Sequence, residues 1–551
     1  MAGQPRSASR VARAFGDTLG RLHLRIAGDP LCRTAIAVWA ERVWQAADDG
    51  HVCVEVEGPD DHALLASSPV VGAAGDPATA LVLDRGCLYL SRLLRAETRL
   101  AAAIASLDVE DPVADATATQ ARLSELFPGA DEADAQRRAV HVALTRRLAL
   151  VSGGPGTGKT TTLARLLVAF VGLRPDARVC FAAPTGKAAA RLAQSLAAQM
   201  PSLDPAGDVA ARLPTTGLTV HRLLGLRGAA PGDVERAAPL PWDLVIVDEA
   251  SMLDVELASA LAAAIPAHGR LVLAGDADQL ASVEAGAVFA ELCASGLGAL
   301  ARLERNYRQE GAAQIAALAA AIRDGAPEGE ILDSLGPLAS TPDGVARIAD
   351  EALDAYGDAL AAIERGESAD RVLAAFERYR VLCALREGDR GTVGLNRAIA
   401  ARVRRRMNAP ALAPWYPGRL VMVTRNLPDR GLVNGDVGVC LSPGRVSFAG
   451  ADGIREIAVL SMPACEDAFA ITVHKSQGSE FDTVAFVPAP TGHPLNTREL
   501  VYTAITRARN GVRIWSEAAA IAAAARQRSA RDGRLRDRVV SAIESSARPG
   551  R

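Results

Sequence analysis

The sequence predicts an α/β protein with two parallel-sheet domains, a small β insertion in the second, and a mostly helical N-terminal domain. Three observations predict it. From about residue 130, short strands continuous in apolar residues alternate with helical stretches: "LALVSG", "RVCFAAP", "DLVIVDEAS" and "RLVLAGD". Parallel strands read this way because both of their faces are covered. A second series, "RVLCALRE", "TVAFVPA" and "GVRIWSE", begins at about residue 340. Charged or glycine-rich residues follow each strand of the first series, and open α/β sheets bind ligands at those carboxyl ends.

A chain of 551 residues has room for about three to four domains. Residues 1–118 make the first, with "HVCVEVEG" as a short strand and "CLYLSRLLRAETRLAAAIASL" as a strand running into an amphipathic helix. The stretch "DVEDPVADATATQ" reads as a linker. Residues 119–335 hold the first strand series and 336–551 the second. Within the latter, about 415–462, hairpin signals at Asn434-Gly435 and Pro443-Gly444 separate short strands and predict a small β-barrel-like module.

Composition narrows the function classes. The net charge of −3 gives no global attraction to nucleic acid, so such a site has to be a local patch. The eight cysteines (Cys32, Cys53, Cys87, Cys180, Cys293, Cys383, Cys440, Cys465) contain no CxxC pair, which argues against zinc or iron–sulfur sites and for isolated buried thiols. No apolar run is long enough to span a bilayer, and "MAGQPRSASRVARAF" has no apolar leader core; a cytoplasmic protein without a membrane is expected.

Only three of the 61 basic residues are lysine: Lys159, Lys187 and Lys475. The first lies in "GGPGTGKTTT", which fits the phosphate-loop pattern between a strand and a helix. Glycines there let backbone N–H groups at a helix N-terminus face phosphate oxygens. The nucleotide loop thus comprises Gly153, Gly154, Pro155, Gly156, Thr157, Gly158, Lys159, Thr160 and Thr161. Lys159 reaches the β- and γ-phosphates as a compact point charge that the planar guanidinium cannot replace. Thr160 and Asp248 of "DLVIVDEAS" are the Mg²⁺ ligands, and Glu249 polarises the attacking water.

Further along, "GDADQLASVEAG" places Asp276 and Gln279 where a γ-phosphate is sensed, "LERNYRQEG" offers Arg308 beside Tyr307, and "YTAITRARNGVRIW" offers Arg507 and Arg509. The ordered set "APTGKAAARL", "TVHRLLG", "DLVIVDEAS", "GDADQLASVEAG", "NYRQ", "TVHKSQGSEF" and "YTAITRAR" resembles the motif series of superfamily 1 DNA helicases, in the branch that moves 5′→3′. With "HVCVEVE", "LCALREGDRGTVGLN" and "GRLVMVTRNLPDRGLVNGDVGV", it is most similar to the RecD family, the alpha subunits of exodeoxyribonuclease V (RecBCD). The motif match covers residues 130–516, and the Arg-rich tail from about 526 matches nothing.

The resemblance implies two RecA-like domains with ATP in the cleft between them, an SH3-like insertion, and a partner-binding N-terminal domain. It implies adenine contacts from Gln136 and Tyr307, γ-phosphate contacts from Gln279, Arg308 and Arg507, and an approach by Glu480 from the second domain. It puts single-stranded DNA across both domains, against Thr185, Lys187, Thr219, His221, Thr472, His474, Lys475, Ser476 and Gln477, residue types suited to sequence-independent backbone contacts. Helix capping or carboxylate pairing by Lys187 and Lys475 remains the bland alternative. The run Arg402–Arg406 is expected to be a solvated helix face. The implied activity is ATP-dependent 5′→3′ DNA unwinding from single-stranded or duplex ends, with RecB and RecC as partner subunits and no nuclease site in this chain. Two rivals stand beside it: a stand-alone helicase of the same branch, whose longer members carry an N-terminal extension not found in these residues, and a structural subunit with a vestigial ATPase.

Overall fold

A computed structural model describes residues 9–76, 79–226, 238–305, 307, 313–340, 344–450 and 453–546. Its central element is a six-stranded, wholly parallel sheet in the order Leu300–Leu303, Leu148–Gly153, Arg270–Gly275, Leu244–Val247, Val179–Ala183, Leu218–Thr219. The four strands expected from their apolar runs are its centre, and every residue in them is buried. The two edge strands are short and partly exposed, so neither carried an apolar run to find.

Period-two alternation sends side chains of each central strand into opposite cores. Val151, Phe181, Ile246 and Val272 join Leu163, Leu167 and Phe170 of the helix Lys159–Leu173 on one face. Leu150, Cys180, Val245 and Leu271 face the other way, into a core that continues into the N-terminal domain through Leu93, Leu100 and Ile104. The N-terminal domain has a helical hairpin, Arg10–Ala27 and Pro30–Asp48, and a four-stranded sheet ending in Cys87–Leu90, which leads into the helix Ser91–Leu107. Cys53 and Cys87 are diagonal neighbours on paired antiparallel strands, so these two are not isolated from each other.

The second domain is a five-stranded parallel sheet in the order Ala339–Ser340, Ala508–Trp515, Phe481–Val487, Tyr379–Cys383, Ala470–Thr472. Between its helix Thr392–Arg406 and the strand Ala470–Thr472 lies the insertion, five antiparallel strands spanning Arg419–Val423 to Cys465–Asp467 around Val421, Val446, Phe448 and Ile457. Its Pro443-Gly444 hairpin needs the glycine, whose φ of 110° is closed to most side chains. Arg402 and Arg406 pair with Asp350 and Glu364, and Arg404 stacks over Tyr416.

Two segments depart from expectation. The presumed linker is docked structure: Asp115 caps a helix, Ala116–Leu126, and buried Arg270 donates to the Asp111 carbonyl and carboxylate. The Arg-rich tail also leaves the second domain. Its helix Leu535–Ser546 packs on Ser91–Leu107, where fully buried Glu97 accepts from the Arg534 N–H (2.7 Å) and from Arg538 Nε (2.8 Å). Arg538 also reaches Asp84. Removing one partner of a buried ion pair strands the other charge and costs about 3–5 kcal/mol. Arg538→Ala should therefore release the tail, seen as faster amide exchange in 535–546 and 91–107 by hydrogen-exchange mass spectrometry. Unchanged protection there would show that apolar packing alone holds the tail.

Candidate active site

The strand Leu148–Gly153 ends at the sheet's carboxyl edge, and the chain turns through Gly156 (φ 80°) and Gly158 (φ 82°) into the helix Lys159–Leu173. Gly158 has no side chain to cap the first helical turn, so its N–H groups stay available to an anion. A Cβ on Gly158 would lie 2.3 Å from Gln136 Nε2, so a side chain there would be strained by the backbone and would also displace the Gln136 amide. Lys159 Nζ donates to the carbonyls of Gly153 (2.5 Å) and Gly154 (3.1 Å), poised over the mouth of the loop.

Around this loop lies a cleft of about 440 Å³. The first domain lines it with Gly154, Pro155, Gly156, Gly158, Lys159, Thr160, Thr161, Arg191, Asp248, Glu249 and Gln279, and the second with Gly478, Glu480, Arg507 and Arg509. Gly153 and Thr157 sit just behind, Thr157 Oγ1 bonding the Gly154 carbonyl at 2.8 Å. Burial, and then the neighbouring Glu249, push the Asp248 carboxyl above its ordinary range, while Lys159 pulls the other way. Glu249 holds a left-handed conformation (φ 54°), with its N–H on Asp248 Oδ1 at 2.9 Å. Such strain costs roughly 1–3 kcal/mol and clusters at functional sites. Thr160 and Asp248 are hard oxygen donors suited to Mg²⁺, which takes one or two protein ligands and leaves its remaining positions to phosphate and water.

Gln279 is 5% exposed; its Nε2 donates to Asp276 Oδ2 (2.9 Å), and its Oε1 is buried without a protein partner among the described residues. Arg507 is 2% exposed; one terminal nitrogen donates to the Ser479 carbonyl (3.2 Å) and its Nε has no partner among the described residues. Gln136 is held by Arg165 (2.8 Å) beside Gly158, and half-exposed Tyr307 is anchored through its N–H to the Gly156 carbonyl (2.9 Å). Arg308 lies outside the described residues.

The residues expected along DNA separate into two groups. Thr185, Thr219 and His221 share a cavity of about 930 Å³ with Asn426, Val433 and Asn434 of the insertion. Thr185 and Thr219 also cap helices through their hydroxyls. Lys187 lies in the adjoining cavity, half-buried; desolvation lowers its pKa, opposed by Glu377 and Asp436 and reinforced by Arg380 and Arg191. The run Thr472–Gln477 lies elsewhere. Lys475 pairs with Glu466, and Thr472 Oγ1 accepts the Lys475 N–H. His474 is half-buried, its pKa lowered by burial and then by Arg531. Ser476 is fully buried, donating to the Val473 carbonyl, and Gln477 (7% exposed) reaches across to the Leu280 carbonyl at 2.8 Å. Both are buried in the interior.

Three features escaped the sequence reading. Tyr502 donates from the second domain to Asp276 Oδ2 (3.1 Å), Thr503 accepts the Leu280 N–H (2.8 Å), and Arg191 bonds Glu480 (2.8 Å). All lay inside recognised motifs, yet their partners are about 220 to 290 residues away, and nothing local encodes such pairings.

The chain is similar to known proteins over the same regions. The AAA domain family matches residues 132–339, and the UvrD-like helicase C-terminal domain family matches residues 467–515. The RecBCD enzyme subunit RecD of Mycobacterium tuberculosis (strain ATCC 25618 / H37Rv) is 37% identical across 97% of this chain and 94% of its own length. The RecBCD enzyme subunit RecD of Mycolicibacterium smegmatis is 34% identical, across 90% and 92% respectively. The ATP-dependent RecD2 DNA helicase of Deinococcus radiodurans is 32% identical across 84% of this chain but 60% of its own. A likeness that runs nearly end to end in both partners, through the N-terminal domain as well as the motor, means that this chain belongs to the RecD family of RecBCD enzyme subunits.

Proposed function

We propose that this chain is an ATP-driven helicase that moves 5′→3′ along single-stranded DNA, as the RecD subunit beside RecB and RecC in double-strand break repair and recombination. One observation carries the reading. Two α/β domains send complementary halves of a phosphate-handling set into one cleft: Lys159, Thr160, Asp248, Glu249 and Gln279 from one side, Glu480 and Arg507 from the other.

The loop amides and Lys159 bind the phosphates, and Thr160 with Asp248 would hold Mg²⁺. When bound, that ion neutralises charge on the β- and γ-oxygens. Glu249 orients the attacking water, and Gln279, whose buried Oε1 has no protein partner among the described residues, would accept a hydrogen bond from it once the cleft rearranges around nucleotide. Arg507 meets the transferred phosphoryl only while the domains are closed, so hydrolysis and cleft motion are linked. Alternate closing and opening shifts Thr185, Thr219 and His221 relative to the second domain, which ratchets the strand. Near full-length likeness to RecBCD enzyme subunits supports work inside a heterotrimer over a stand-alone role.

Lys159→Arg should abolish DNA-stimulated ATPase with folding intact by circular dichroism, because the planar guanidinium does not fit the loop. Near-normal turnover would mean the loop has another role. Arg507→Ala should lower kcat by ~10² or more and change nucleotide affinity much less, because its charge acts in the transition state. Arg509, 49% exposed and paired with Glu480 and Asp482, should tolerate alanine better. Steady-state ATPase with saturating single-stranded DNA, beside fluorescence titration of nucleotide, checks both; full turnover in Arg507→Ala would remove the second domain from the chemistry. Binding should weaken with salt through counterion release. Unwinding should require a 5′ tail, and efficient unwinding of 3′-tailed duplexes by the isolated chain would overturn the polarity.

A further inference from the structure

The nucleotide cleft and the cavity holding Lys187 are separate spaces that share one wall. Four residues line both: Arg191, Gly478, Glu480 and Arg509. Arg191 stands one turn after Lys187 on the helix Gly186–Leu203, the element that Thr185 caps and that borders the larger cavity against the insertion. Its guanidinium crosses to the second domain, donating to the Gly478 carbonyl (3.1 Å) and to Glu480 Oε2 (2.8 Å). Arg509 approaches the same oxygen at 3.3 Å. Glu480 is thus held between guanidiniums from the two domains.

We propose that Arg191 is a positioning residue for ATP hydrolysis: it ties Glu480 to the helix that begins at Thr185 and Lys187, and so couples the nucleic-acid side of the first domain to closure of the nucleotide cleft. The physical case has three parts. The fork of Arg191 satisfies a main-chain carbonyl and a carboxylate of the loop Gly478–Glu480 together, which fixes the loop's position and not merely its charge. That loop leads into the strand Phe481–Val487, which pairs with the strand Ala508–Trp515 that begins just after Arg507. The pair is only partly exposed (side chains 39% and 19%), so solvent weakens it without cancelling it.

The proposal rests on the cleft's being the ATPase site, and the Lys159→Arg control tests that reading separately. The experiment is a double-mutant cycle on full-length protein, Arg191→Ala with Glu480→Gln, measured as ATPase with saturating single-stranded DNA and as nucleotide affinity by fluorescence titration. Each single variant should lose about 5-fold in kcat, the double variant should be no slower than the slower single, and affinity should move less than kcat. Arg191→Lys should recover part of the rate, because it keeps the charge but loses the fork. Should Arg191→Ala unfold, Arg191→Lys and Glu480→Gln carry the same cycle. Losses that multiply in the double variant, or single variants that turn over at the unsubstituted rate, would overturn the coupling while leaving the site assignment standing whenever Lys159→Arg is dead.

Discussion

A carboxylate buried at the seam between the two motor domains sets the terms for everything around it. Asp276 is 2% exposed, and a group at that depth is tolerated only where donors reach it. They come from Gln279 Nε2, from the Asp278 N–H and, across the seam, from the Tyr502 hydroxyl. The neighbouring contacts Leu280–Thr503 and Gln477–Leu280 repeat the arrangement. Such hydrogen bonds are worth about 1 kcal/mol net between neutral groups and about 1.5–3 kcal/mol to a carboxylate, so the set holds the domains in register without locking them. A cleft whose two walls must separate and rejoin needs that balance.

The scarcity of lysine makes sense in this frame. Lys159 converges on two carbonyls inside a loop too tight for a planar group. Lys187 sits where burial, two carboxylates and two arginines act on one ammonium. Lys475 does something plainer, pairing with Glu466 at the surface. Arginine serves where a fork is wanted: Arg191 bridges a carbonyl and a carboxylate, Arg270 pins the segment before the first motor domain, and Arg538 bridges Glu97 and Asp84.

Those last two arginines bear on how the N-terminal domain is attached. Its core is continuous with one face of the first sheet, and the tail returns to seal it, with Arg531 donating to the Ser282 and Glu284 carbonyls on the loop that carries Gln279. The second motor domain therefore hands its C-terminal strap to the first motor domain and the N-terminal domain.

By itself the sequence determined the parallel strands, the phosphate loop, the Asp248-Glu249 pair and the hairpin insertion. Each is written in residues within a dozen positions of one another: apolar runs buried on both faces, glycines that permit a tight turn, a helix that starts where the turn ends. The short edge strands, the docked segment at 108–120 and the returning tail were not legible, because exposed strands carry no apolar run and charged stretches read alike whether solvated or paired. Nor was the inward placement of Ser476 and Gln477, since a polar side chain reads the same beside a channel or against a carbonyl. Only the tertiary structure decided which charges face each other across the seam, Arg191 with Glu480 and Tyr502 with Asp276. The physical reason is that ion pairs and hydrogen bonds depend on distance in space, and residues more than 200 positions apart acquire that distance only when both sheets are built and docked.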